Sequence, residues 1–123
     1  MIAHIVLFQP KPDLSATDRR AFVDALREAF ASIPAIRRVR LGIRRTHGAA
    51  YEAVTTHDLT IGAVLEFDDL NALQAYLDHP AHQDLGARFR ASAAVSWVYD
   101  YEMSDLDGLE DLLGRMIDDD RSR

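Results

Sequence analysis

Residues 1–9 divide between two faces, with Ile2, His4, Val6 and Phe8 on one and Ala3, Ile5 and Leu7 on the other. Period-two spacing of this kind predicts a strand. Both faces are largely apolar, as in a central strand covered on both sides. Pro10 and Pro12 end it. The period then changes. After Ser15, a good N-cap, Phe22, Leu26, Phe30 and Ile33 recur at helical spacing, and Pro34 stops the helix near Ser32. Alternation returns over 36–44, with Val39, Leu41 and Ile43 facing one way and Arg38, Arg40 and Arg44 the other, which predicts a half-exposed edge strand.

A polar, Gly-containing loop over 45–56 leads to a third strand over 57–67. Asp68 or Asp69 caps a second helix through Leu70, Leu73 and Leu77. Pro80 suits the first turn of a new helix better than the middle of an old one, so the pattern predicts a break near His79 and a restart through Ser92. Residues 95–102 form the fourth strand. The order β-α-β-β-α-β predicts an α+β, ferredoxin-like unit, with a four-stranded antiparallel sheet and helices on one face. The other face stays bare, and a homodimer is the simplest way to cover it. Residues 1–102 make this domain. Residues 103–123 are an acidic, amphipathic C-terminal extension in which Leu106, Leu109, Leu113, Met116 and Ile117 form an apolar stripe, predicting a short helix that docks on the domain or its partner subunit.

Charge sharpens this division. From Glu102 onward eight acidic residues face three basic ones, whereas residues 1–101 hold 12 acidic and 11 basic. A nearly neutral body with an acidic tail does not suit a nucleic-acid backbone. No apolar run approaches a membrane span, and the apolar N-terminus lacks the basic flank of a signal peptide. With no cysteine, thiolate chemistry is excluded, and a reducing cytoplasm is the expected compartment.

The densest candidate chemistry is YLDHPAHQDL, residues 76–85, where Tyr76, His79 and His82 flank Pro80. Tyr76 and His79 share a helix face. His82 falls in the first turn of the following helix, where the positive end of the dipole favours neutral imidazole, the form a general base needs. A neighbouring phenol can hold a carbonyl oxygen. Asp100 on the last strand can accept from an imidazole N–H and fix its tautomer. Spacing alone leaves three readings open. The corner is a catalytic site, a buried polar joint between helices, or a metal site that would need His4 as a third ligand and has no carboxylate cluster beside it. His79, closing the helix before Pro80, is read as structural, its ring satisfying loose carbonyls at the helix end. His47 is a loop residue and His57 opens a strand.

Four segments, AHIVLF, VRLGIR, AVLEFDDLNALQAYLDHPAH and VYDYEM, together resemble the stress-responsive A/B barrel (Dabb) family over residues 1–102. The run from Tyr76 to His82 is the most specific part, with His4 and Asp100 at the expected places. The resemblance implies a ferredoxin-like monomer and a dimer whose sheets close into an α/β barrel. In one branch, a plant polyketide cyclase that performs an intramolecular aldol condensation without any cofactor, the residues matching Tyr76 and His82 are catalytic. Those matching His4 and Asp100 help to form the site.

Two function classes follow. The first is a cofactor-free enzyme acting on a small, apolar, carbonyl-bearing compound. There His82 is the general base, Tyr76 binds the carbonyl, His4 and Asp100 orient the imidazole, and Phe22, Leu26, Phe30 and Leu73 line the substrate pocket. The second is a non-catalytic ligand-binding or stress-response module. A cofactor-independent monooxygenase is supported by fold analogy alone.

Overall fold

The structure, a computed structural model, describes residues 1–121, with side chains through residue 119. Asp120, Arg121 and Arg123 of the acidic tail therefore lie outside the described side chains. The elements run β1 (Ile2–Pro10), α1 (Ala16–Ser32), β2 (Arg38–Ile43), a short 3-10 helix (Ala50–Val54), β3 (Ile61–Phe67), α2 (Leu70–Asp78), α3 (Pro80–Ser92), β4 (Ala93–Glu102) and α4 (Leu109–Arg121). The strands form one antiparallel sheet in the order β2-β3-β1-β4. This is the ferredoxin-like arrangement, with the arginine-rich β2 at an edge.

Local chemistry sets the helix starts. The Ser15 hydroxyl accepts from the Asp18 N–H at 3.1 Å, and the Asp69 carboxylate accepts from the Ala72 N–H at 2.8 Å. At the break, the His79 ring nitrogen Nδ1 accepts from the Ala81 N–H at 3.0 Å, while its backbone N–H donates to the Tyr76 carbonyl at 3.2 Å. The imidazole therefore caps the start of α3. Its expected role toward the carbonyls closing α2 falls instead to the backbone N–H.

Register fixes the two sheet faces. His4 stands between Leu65 on β3 and Asp100 on β4. On that side Ile2, Leu65 and Phe67 join Ala25, Ala29, Ile33, Leu73, Tyr76 and Leu85 in the core, and Phe67 is fully buried. On the opposite side Ile5, Leu7 and Val64 lie beside Trp97, Tyr99 and Tyr101, which remain 42%, 48% and 51% exposed. The two-sided apolar character of β1 thus divides into a covered half and an open half.

Between β2 and β3, two segments differ from expectation. β3 begins at Ile61 rather than 57, because the Arg44 N–H closes the ladder on the Thr60 carbonyl while Asp58 pairs with the Arg44 guanidinium at 2.7 Å. The loop over 45–56 also has order of its own. The Glu52 carboxylate collects the N–H groups of His47, Gly48 and Ala49. These bonds hold its pKa below the usual carboxylate range, the one from His47 contributing most. Gly48 takes φ 83°, a left-handed conformation that only glycine adopts cheaply. No helix among the described residues is long and apolar enough to cross a membrane.

Candidate active site

The site grows from the sheet outward. His4 and Asp100 are cross-strand partners, and the His4 Nδ1–H donates to Asp100 Oδ1 at 2.6 Å. His4 is 5% exposed, while the Asp100 side chain keeps 41% of its surface open. The carboxylate therefore satisfies the Nδ1–H of a buried imidazole from the last strand.

Tyr76 is 3% exposed and sits at the centre of a ring cluster. Its ring centroid lies 5.2 Å from Phe67, 5.8 Å from His4 and 4.5 Å from His82. Burial pushes its phenol pKa up to about 12, so the hydroxyl stays a donor throughout the neutral range. No side chain or backbone group among the described residues bonds to that hydroxyl, yet no buried side-chain polar atom is orphaned. The hydroxyl therefore keeps some accessible surface, and Tyr76 lines a cavity.

His82 is oriented by the helix break. Its Nδ1 lies 3.1 Å from the Leu77 carbonyl oxygen. A carbonyl only accepts, so Nδ1 carries the proton and Nε2 holds the basic lone pair. Burial is the largest influence on His82 and lowers its pKa; the Leu77 bond opposes the shift, and His4 and Arg90 reinforce it. Neutral imidazole is the expected state, but its main cause is desolvation rather than the helix terminus.

Between the sheet and helices α1 and α3 lies an apolar cavity of about 370 Å³. Phe22, Leu26 and Phe30 line it, together with Phe8, Leu85 and Phe89. Phe8 packs 5.8 Å from Phe22 and 5.1 Å from Phe89. Leu73, expected on this wall, is buried in the core beside Tyr76 instead. His4, Asp100 and His82 are also off the wall, so among the described residues Tyr76 alone joins the polar cluster to the cavity. The sequence reading did not assign Leu85 and Phe89 to the pocket. Their i, i+4 spacing on α3, facing Phe8 on β1, is the signal that marks them. Among the described residues no group of three metal-ligating side chains converges.

The sequence profile described as Stress responsive A/B Barrel Domain matches residues 2–103. No curated protein matches the chain. Among solved structures, a dimeric ferredoxin-like protein from Bacteroides fragilis is 25% identical, covering 83% of this chain and 95% of its own, with a TM-score of 0.58. A Dabb family protein from Mesorhizobium loti is 20% identical, with 84% and 96% covered and a TM-score of 0.64. The hydroxynitrile lyase from Passiflora edulis is 13% identical, with 85% and 94% covered and a TM-score of 0.69, a likeness of fold. The α4 extension lies beyond the matched residues, while the sheet, the ring cluster and the cavity all fall within them: the chain belongs to the stress-responsive A/B barrel domain family.

Proposed function

We propose that the protein is a homodimeric, cofactor-free acid–base enzyme, cyclase-like in chemistry, acting on a small apolar carbonyl compound bound in the cavity. The observation that carries this reading is the Tyr76 hydroxyl. It is a donor without a partner among the described residues, on a side chain that lines an apolar cavity and is backed by a neutral imidazole of fixed tautomer. With a carbonyl oxygen on the Tyr76 O–H, His82 Nε2 takes a proton from the adjacent carbon. The C–H electron pair moves into the enolate, and the phenol stabilises the developing oxyanion. The enolate then attacks a second carbonyl or recovers a proton from the imidazolium. His4, held by Asp100, keeps the Tyr76 ring in place.

The open sheet face supports the dimer. Trp97, Tyr99 and Tyr101 form an exposed aromatic strip beside Ile5 and Leu7, and a second copy covers such a face by two-fold symmetry. The Bacteroides fragilis neighbour is described as dimeric. The cysteine-free sequence fits the cytoplasm.

One observation favours a second reading, a ligand-binding module without chemistry: His82 is not on the cavity wall. Solvent exchange separates the two. In deuterated buffer, 2-octanone and acetophenone are incubated with the protein and their α-protons followed by NMR. Enzyme-dependent exchange, lost in both Tyr76→Phe and His82→Ala, supports catalysis. Binding of the ketones without exchange establishes the module.

A further inference from the structure

Helix α1 turns one face to the cavity, made of Arg19, Phe22, Val23, Leu26 and Phe30. The spacing is that of a continuous helical stripe, so Arg19 stands where the pattern calls for an apolar side chain. Among the described residues it is the only charged one bordering the cavity, and none of their carboxylates lines it. Asp24 and Arg20 share an outer groove of the same helix with Arg19, yet among the described residues the Arg19 guanidinium has no ion pair or hydrogen bond. An exposed arginine, its guanidinium without a partner among the described residues, thus borders an apolar, aromatic-walled space.

We propose that the cavity takes an elongated apolar monocarboxylate, its carboxylate held by Arg19 and its tail laid along Phe22, Leu26 and Phe30. This rests on the cavity reading above and names the ligand class for it. The guanidinium fork matches a carboxylate in two hydrogen bonds, and the apolar wall beside it strengthens their attraction relative to open water. The lining face from Arg19 to Phe30 runs about 16 Å at the helical rise, which suits an extended chain or a chain ending in one ring. Its far end, carrying a carbonyl, then reaches Tyr76.

Octanoate and 1-octanol share a tail and differ in the head group, which makes them the test pair. Each is titrated into the full chain by calorimetry, above the carboxylic-acid range of pH. Both bind, octanoate more tightly by on the order of tenfold, and added salt narrows the gap. In Arg19→Gln the preference disappears while 1-octanol binding is unchanged, and Arg19→Lys keeps part of it. Equal affinity of the two probes for the wild-type chain, or a preference that survives Arg19→Gln, overturns the assignment while leaving the cavity reading intact. If neither probe binds, the cavity reading falls and the assignment with it. The wild-type comparison decides even if a variant folds poorly.

Discussion

His82 Nδ1 lies 3.1 Å from the carbonyl oxygen of Leu77, across the break that Pro80 makes between α2 and α3. A residue of the new helix thereby satisfies a carbonyl at the end of the old one, and the same bond aims a basic nitrogen. His79 makes the opposite use of its ring, accepting at Nδ1. The two imidazoles are therefore expected as opposite neutral tautomers, His82 protonated at Nδ1 and His79 at Nε2. Nitrogen-15 NMR of the ring atoms reads this directly. Matching tautomers at the two positions would show that one of these bonds does not form.

Since burial lowers the His82 pKa, the unfolded chain binds its proton more readily than the native one. Stability from this group is full above the ordinary histidine value, falls as pH drops through that value, and levels off below the depressed native pKa. Melts of wild type and His82→Ala from about pH 8 to about pH 5 isolate the effect as a difference between the two curves. A difference that grows in wild type's favour with acidity would contradict the assigned direction. Proton-transfer activity should fall only as pH drops through the depressed native pKa, below the point where stability begins to fall, because the base is lost there.

Capping by His79 has a magnitude. His79→Ala removes the side-chain acceptor for the Ala81 N–H and should cost about 1 kcal/mol in urea melts. Asparagine is also a good N-cap, so His79→Asn should recover most of that loss. An alanine variant as stable as wild type would mean that Pro80 alone starts α3.

Tyr76→Phe and Tyr76→Ala should separate packing from chemistry. The hydroxyl has no partner among the described residues, so the phenylalanine variant stays within about 1 kcal/mol of wild type. The alanine variant removes a core ring and should lose about 3 kcal/mol or more. If Tyr76→Phe keeps full α-proton exchange on the ketones, the phenol is not the carbonyl donor.

The sheet was legible because alternation is a local property. Ile2, His4, Val6 and Phe8 share the covered face, and β2 lies at an edge as its arginines indicate. The helix break was legible because proline restricts its neighbours chemically. The loop's 3-10 turn was not, since it depends on one carboxylate reaching three N–H groups rather than on any period. Site membership was only partly legible. Residues 73 and 76 sit at neighbouring positions on one helix face, yet Leu73 is spent on the core and only Tyr76 reaches the cavity. That choice depends on how α2 is rotated against the sheet, which spacing does not encode. The Arg19 signal was present as a break in an apolar stripe, but it has meaning only once the cavity beside it is known.

The last prediction concerns α4. It begins at Leu109 rather than 106; the Asp105 carboxylate holds the Gly108 N–H at 2.9 Å just before it. Its apolar stripe is not spent on its own domain, with Leu106 83%, Leu113 47% and Met116 57% exposed. The Arg115–Glu102 pair at 3.2 Å joins it to β4, but both side chains are mostly exposed, so the pair contributes under about 1 kcal/mol. Hydrophobic burial in the core therefore does not depend on α4. A chain ended after Met103 should melt cooperatively, and light scattering at micromolar concentration should give twice its own mass. A truncated chain that melts normally but runs as a monomer would assign the α4 stripe to the second copy. One that aggregates or shows no cooperative transition would assign it to the fold itself.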